Sequence, residues 1–560
     1  MSAADGSRRR VPRLRLALCG FAAALALLAA AEIGLRASGA GLAPILLRVD
    51  TAAGPRLLRA PSAPGVDPVA IAAAADRLAC APEKPPGRLR IIVVGESTVA
   101  GFPFFGQLSF ARLLEHALRA GGGDVEVVNF GRAADSSDDV ADAAVAALAL
   151  APDLLVVASG HNEFQSSYVG ALRDGVWPRL RTQLRRLALV RAGQQRDWRA
   201  AAAEEEQLPG EAVADAPFLA ESEFERGVAR FRDNLFRIAV AADAAAVPLV
   251  VMTQVANLDV APCASAFRQP LAAAARAEFR RELATLVALV ESAAAPALAA
   301  ASARAEALLA QDPGVALAQF VAARCREAAG DAEGARGRYR AALLLDGYPN
   351  RGGGRLNETI REFAREAGVR LVDPEAAWLR RGGAAPGREL FLDYCHPNLE
   401  GTAALAAELL AALLAEGLVP RAIDGAAAQR WLQAPAEEWL AALALTRGAL
   451  AGGLVEAALL MLGAAEATAA PAERWRLARS GFGQALQIAP TQLEAELGGI
   501  ATGLVTGALD ESLLRADKLW RSDPQSLQKL AEQLPQLPRL AAAIAAAGVE
   551  WRDGRLVRKP

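Results

Sequence analysis

The sequence predicts an α/β fold: a doubly wound parallel sheet in three layers, with an α-helical insertion and an α-helical C-terminal domain. Three observations predict it. Short, continuously apolar runs recur at strand length, as at 90–95 (RIIVVG) and 154–159 (LLVVAS). Helix-length segments alternate with those runs. Two long stretches break the alternation, and one of them is helical in pattern throughout.

A run that is apolar at consecutive positions suits a strand covered on both faces, as in a parallel sheet. Such runs occupy 90–95, 125–129, 154–159, 248–253 and 369–372. Helices are expected at 108–120, 136–150, 224–245, 356–367 and 399–415, and this order of strand and helix is that of β-α-β units. The interruptions are 170–222, charged and irregular with a helix expected at 173–198, and 265–345, helical in pattern. A chain of 560 residues exceeds one ordinary core. The reading therefore divides it into an N-terminal segment 1–35, a Pro- and Ala-rich stalk 36–88 with a helix around 68–79, a sheet domain made of 89–264 and 346–418, the insertion 265–345, and a helical domain 419–560. Trp431, Trp439, Trp475 and Trp520 are the expected packing anchors of the last. In the insertion, Gly330, Ala335, Tyr339 and Ala342 keep the spacing of the second half of a tetratricopeptide repeat, and Ala485, Leu486, Ala489 and Pro490 hint at a degenerate repeat. A plain helical hairpin explains the first set equally well.

Net charge is −2, a near-neutral balance that argues against a nucleic-acid binder, which usually shows a basic face. Alanine abundance and the excess of Arg over Lys read as the coding bias of a GC-rich, bacterial genome. The five cysteines show no C-x-x-C spacing, so no metal or redox motif is expected. Cys80 and Cys263 are either a pair or free buried thiols. The histidines are His116, His161 and His396 only.

Arg8, Arg9, Arg10, Arg13 and Arg15 precede an apolar run at 16–33, long enough to cross a bilayer. Arginines on that flank stay cytoplasmic, so the rest of the chain would lie outside, in the periplasm. An uncleaved, single-pass inner-membrane anchor fits the length best; the alternative is a signal peptide cut near Ala29-Ala30-Ala31 and a secreted product. Cys19 follows Leu18 where a lipidation site needs a small residue.

The chemistry concentrates after the strands. Ser97 follows the first one in the pattern G-x-S-x-x-x-G (Gly95, Ser97, Gly101), which is neither the G-x-S-x-G elbow nor a phosphate loop. Alone, such a serine is a helix N-cap. Three more segments change that: Asn129-Phe130-Gly131 running to Ala134-Asp135, Gly160-His161-Asn162-Glu163, and Asp393-Tyr394-Cys395-His396-Pro397. In a parallel sheet all four gather at one edge.

Together the four segments resemble the blocks of the SGNH (GDSL-like) hydrolase family, in the family's order, over about residues 88–418. The resemblance implies a flavodoxin-like three-layer fold, no cofactor and no metal. It makes Ser97 the nucleophile, His396 its base and Asp393 the group that orients the imidazole. The oxyanion donors would be the Ser97 N–H, a second-block N–H and the Asn162 amide. The second-block donor aligns with Ala134, where the family has glycine, and Gly131 is the fallback. Glu96 stands where the family has Asp. His161 either lines the pocket or makes a structural hydrogen bond, and His116, on a predicted helix, is a surface or packing residue. Arg351, Arg355 and Asn357, in a Gly-rich turn, either steer an anionic substrate or form a solvated loop.

The expected function is an exported serine esterase acting on an acyl or acetyl ester, whether of a small molecule, a lipid or a glycan. One alternative is an O-acyltransferase acting on cell-surface polysaccharide. The other is a non-catalytic scaffold. Expected partners are the membrane, through the N-terminal segment, and a protein bound by the helical repeats.

Overall fold

The computed structural model describes residues 45–51, 54–59, 79–104, 108–164, 213–292, 295–349, 351–381, 385–387, 389–467 and 471–559, with 27, 29–31 and 33. Most of the N-terminal apolar run, the predicted cleavage site's flanks and the helices expected at 68–79 and 173–198 lie outside them. No single helix among the described residues is long and apolar enough to cross a membrane.

Strands β1 (Leu46–Thr51), β2 (Gly54–Arg59) and β3 (Ala79–Cys80) come first. The main sheet begins with β4 (Leu89–Gly95), followed by α1 (Ser97–Ala100), α2 (Phe110–Ala120), β5 (Val125–Gly131), α3 (Ser137–Ala147) and β6 (Leu154–Ala158). Then come α4 (Glu221–Ala244) and β7 (Leu249–Met252). The insertion holds α5 (Ala273–Ser292), α6 (Ala295–Ala300), α7 (Ser302–Gln311), α8 (Ala316–Ala328) and α9 (Ala332–Leu344). The sheet unit resumes with α10 (Gly354–Ala367), β8 (Arg370–Val372), α11 (Pro374–Arg380) and α12 (Leu399–Ala415).

The main sheet runs β5-β4-β6-β7-β8 and all four pairings are parallel. Numbered within the sheet this is the order 2-1-3-4-5, which reverses direction between β4 and β6 and opens a crevice at the carboxyl ends there. The continuous apolar runs explain the layering. Side chains alternate along a strand, so Ile91 and Val93 of β4 enter one core while Ile92 and Val94 enter the other. Val156 and Val157 of β6 divide in the same way. One face carries α2 and α12, through Leu113, Leu114, Leu405 and Leu409. The opposite face carries α3, α4 and α10, through Val140, Phe231, Leu235, Ile360 and Phe363.

The insertion leaves at Ala264 and returns at Asp346, and one carboxylate closes the gap. Asp346 accepts from the N–H groups of Cys263 at 2.9 Å and Ala264 at 3.0 Å, and the N–H of Gly347 donates to the Ala264 carbonyl at 2.9 Å. Phe320 of α8 and Ala335, Tyr339 and Ala342 of α9 form a small core with Ala256 and Leu258 of the segment after β7.

The C-terminal region holds α13 (Gly425–Leu432), α14 (Ala436–Ala442), α15 (Arg447–Ala467), α16 (Pro471–Ile488), α17 (Leu493–Gly503), α18 (Leu509–Ser522), α19 (Pro524–Gln533) and α20 (Pro538–Ala546), and ends in the hairpin β9 (Val549–Arg552) and β10 (Arg555–Arg558). These helices extend the α2 and α12 core without a break, from Trp439 and Leu454 to Leu540 and Leu556. His116 on α2 stacks on Trp431, ring centroids 5.7 Å apart, so of the two roles expected for it, surface or packing, it has the second. Cys80, Cys263, Cys325 and Cys395 are free thiols, so Cys80 and Cys263 do not pair.

Within 36–88, read from sequence as a stalk, the described residues form an antiparallel sheet, β1-β2-β3. Cys80 belongs to the core beneath α3 and α4, with Leu46 and Leu57 packed against it. Arg90, fully buried, donates to the carbonyls of Ala81 and Leu150 at 3.0 and 2.7 Å and ties this small sheet to the large one.

Candidate active site

The end of β4 is built for a tight turn. A Cβ on Gly95 would fall 2.1 Å from the Ala158 carbonyl oxygen and 2.4 Å from Val99 Cγ2, so only glycine lets the chain pass from strand into α1. Ser97 opens α1, buried at 7% exposure.

His396 reaches it from the loop before α12. Its Nε2 lies 2.7 Å from Ser97 Oγ, and its Nδ1 lies 2.6 Å from Asp393 Oδ2. The other oxygen of Asp393 accepts from the backbone N–H groups of Cys395 at 2.8 Å and His396 at 2.7 Å. A carboxylate held in that way presents an acceptor to Nδ1, so the ring's proton is assigned to Nδ1 and its acceptor to Nε2, facing the serine hydroxyl. Burial pushes the Asp393 carboxyl up, but the His396 charge, the ring hydrogen bond and the two backbone N–H groups outweigh it and hold the carboxyl below its usual value. Asn257 braces the loop from outside: its side-chain amide donates to the Asp393 carbonyl at 2.8 Å, and its N–H to the Tyr394 carbonyl at 3.0 Å. The Phe102 ring lies 4.4 Å from the imidazole, centroid to centroid. Asp393, Cys395 and His396 offer ligand atoms within 4.8 Å of one another, but Nδ1 and Oδ2 already bond each other.

The third block meets the first through Glu96. Its carboxylate accepts from Ser159 Oγ at 2.7 Å, from the Gly160 N–H at 2.8 Å and from the His161 N–H at 2.8 Å. The residues flanking Ser97 and Asn162 are thereby clamped together, a use the extra methylene makes available. Burial pushes the Glu96 carboxyl up to about 7 even against these three donors. Asn162 donates to the Asp135 carbonyl at 2.9 Å, which binds the third block to the second. Glu163, fully buried, pairs with Arg230 at 2.7 Å and accepts from the Ser137 N–H at 3.2 Å.

In the second block Ala134 has φ +60°, the left-handed region where the family's glycine would sit unstrained. Gly131 does not take the role expected of it. Its N–H donates to Asn129 Oδ1 at 2.8 Å, so the amide is spent on a structural bond and does not serve as the fallback oxyanion donor. Its lack of a side chain is what α1 requires, because a Cβ would fall 2.1 Å from the Ala100 nitrogen.

The Gly-rich turn also departs from expectation, as neither a steering surface nor a solvated loop. Arg351 is buried at 3% exposure and donates to the carbonyls of Asn257 at 2.8 Å and Val260 at 3.0 Å. Asn357 spends both side-chain ends on the Gln254 backbone, at 2.7 and 2.8 Å. Arg355 is neutralised by Glu221 and Glu225 and stacks over Phe224. All three hold the fold together.

Sequence reasoning missed Arg59, which stands in the segment read as a stalk. Its guanidinium, 7% exposed, donates to the Phe130 carbonyl at 2.5 Å and the Asp139 carbonyl at 3.2 Å, and pairs with the Asp135 carboxylate. It clamps both ends of the turn that carries Ala134. Nothing in a Pro- and Ala-rich segment marks one arginine as buried. The C-terminal helices also approach the site. A Cβ on Gly453 of α15 would fall 2.9 Å from the Phe104 ring, and Arg474 of α16 lies 5.4 Å over the Tyr394 ring.

No family model matches the chain, and no curated protein matches it. Among solved structures it is similar to a lipase/acylhydrolase from Enterococcus faecalis, at 13% identity over 59% of this chain and 96% of that one, with a TM-score of 0.26. A GDSL-like lipase from Bacteroides thetaiotaomicron matches at 11% identity over 58% and 88%, with a TM-score of 0.26. A mutant acetyl-xylooligosaccharide esterase from Geobacillus matches at 13% identity over 58% and 94%, with a TM-score of 0.27. Likeness at this level says nothing about the substrate of this chain.

Proposed function

We propose that this chain is an exported, membrane-anchored serine esterase acting on an acyl or acetyl ester. The observation that carries the proposal is the Ser97–His396–Asp393 relay, with hydrogen bonds of 2.7 and 2.6 Å joining residues 299 positions apart. Anchoring and export rest on the arginine-flanked apolar run of the N-terminus alone.

In this mechanism Ser97 Oγ attacks the ester carbonyl carbon as its proton passes to His396 Nε2. Asp393 stabilises the imidazolium that results. The tetrahedral oxyanion is held by the N–H of Ser97, the N–H of Ala134 and the Asn162 amide. The intermediate collapses, the alcohol oxygen takes the proton from Nε2, and the acyl group stays on Ser97. Water then repeats the sequence, giving its proton to Nε2 and releasing the carboxylic acid. The helical insertion and the C-terminal helices, whose spacing suggested tetratricopeptide-like repeats, would frame the pocket. Ser97→Ala should abolish turnover of p-nitrophenyl acetate by the folded protein; turnover at the wild-type rate would reject the proposal.

A further inference from the structure

His161 carries a donor that the relay does not use. The ring is buried at 1% exposure, and its Nδ1 accepts from the Gly352 N–H at 2.6 Å. An imidazole whose Nδ1 accepts carries its proton on Nε2. That Nε2 has no hydrogen-bond partner among the described residues. A buried N–H with no acceptor is costly, and a native site keeps one where a water, an ion or a ligand completes it. The polar groups around it contrast with this: Glu96, Asp393, Asn257 and Asn357 all have partners.

The ring belongs to the active site by position. The backbone N–H of His161 is bound to Glu96, one residue from the nucleophile, and the ring's Nδ1 accepts from Gly352, next to the Arg351 that braces the Asn257 segment behind Asp393. His396 and Asp393 are its electrostatic neighbours; burial first, then the His396 charge, push it down to about 3, against the pull of Asp393. The ring is thus a neutral donor across the working pH range. Its coupling to both His396 and Asp393 puts the ring beside the base rather than beside the oxyanion donors.

We propose that the Nε2–H of His161 donates a hydrogen bond to an oxygen on the alcohol portion of the substrate, next to the ester oxygen, so that the enzyme favours esters of polyols or sugars over esters of plain alkyl alcohols. This rests on the esterase reading above. A site built to bond a substrate oxygen discriminates strongly against the analogue that lacks it.

The test compares trans-2-hydroxycyclohexyl acetate with cyclohexyl acetate on the full-length protein. The ratio of their kcat/KM values should be about tenfold larger in wild type than in His161→Phe, the value of one buried hydrogen bond. His161→Gln, which keeps a donor, should recover part of the ratio. Equal ratios in wild type and His161→Phe would overturn the inference. Nitrogen NMR of the wild-type protein gives a second reading that needs no variant: His161 should show the Nε2–H tautomer from pH 5 to 8, and an Nδ1–H tautomer would overturn the inference. Failure of the esterase reading looks different, since wild type would turn over neither ester and a fluorophosphonate would not label Ser97.

Discussion

Asp393→Asn isolates the one atom on which the relay's direction depends. Oδ1 is fixed by two backbone donors, the Cys395 N–H at 2.8 Å and the His396 N–H at 2.7 Å. Only an acceptor suits that position, so an asparagine must keep its oxygen there. Its NH2 group then replaces Oδ2, 2.6 Å from His396 Nδ1. A donor facing Nδ1 makes Nδ1 the acceptor, and the ring's proton moves to Nε2. Nε2–H faces Ser97 Oγ and has no lone pair to take its proton. Geometry is kept and the tautomer is inverted, a change worth about 10⁴ in kcat, or about 5.5 kcal/mol of barrier. The assay is steady-state hydrolysis of p-nitrophenyl acetate, with circular dichroism to show that the variant folds. KM should change little, because the substrate's own contacts are untouched. A folded Asp393→Asn enzyme within tenfold of the wild-type kcat would refute the tautomer argument.

Glu96 gives a pH prediction. Its carboxyl titrates near 7 in the folded chain against an ordinary 4.5, because burial disfavours the charge. Folding therefore takes up a proton between those values, and stability falls as pH rises through that window, by up to about 3 kcal/mol. Thermal melts at several pH values should show the slope, and Glu96→Gln should flatten it. Either orientation of that glutamine sets an NH2 group against the N–H of Gly160 or His161, so kcat should also fall, by about tenfold. Arg59→Met removes one of the two arginines on the buried Asp135, the other being Arg132 at 2.7 Å. It should cost about 3 kcal/mol in denaturant melts and lower kcat more than it changes KM, with Arg59→Lys intermediate. Ala134→Gly should keep activity and leave stability equal or higher by about 1 kcal/mol, since it removes a left-handed alanine; a large loss of kcat would show that the methyl itself matters.

The sheet was legible because buried parallel strands need apolar residues at consecutive positions, and few other segments of this chain meet that demand. All five predicted strands form, with boundaries shifted by a residue or two at most ends. The relay was legible because its residues sit where the topology gathers loop ends, so a serine after β4 and a histidine before α12 could be paired across 299 positions. What was not legible depends on side-chain direction. Whether the Gly131 N–H is available is decided by the rotamer of Asn129, and whether Arg351 faces substrate or backbone is decided by where Asn257 and Val260 lie. Arg59 was hidden for another reason: its acceptors are three backbone carbonyls and a carboxylate 76 positions on, which no local pattern announces. His161 was read as either a pocket residue or a structural one; its Nδ1 makes the structural bond, and the pocket role we propose falls to Nε2.

Labelling with a fluorophosphonate, followed by peptide mapping, tests the central claim most directly. One phosphonyl group should appear on the peptide that contains Ser97 in the wild-type protein, and none in Asp393→Asn under the same exposure. A modified residue elsewhere in the chain, or equal labelling in both proteins, would contradict the account.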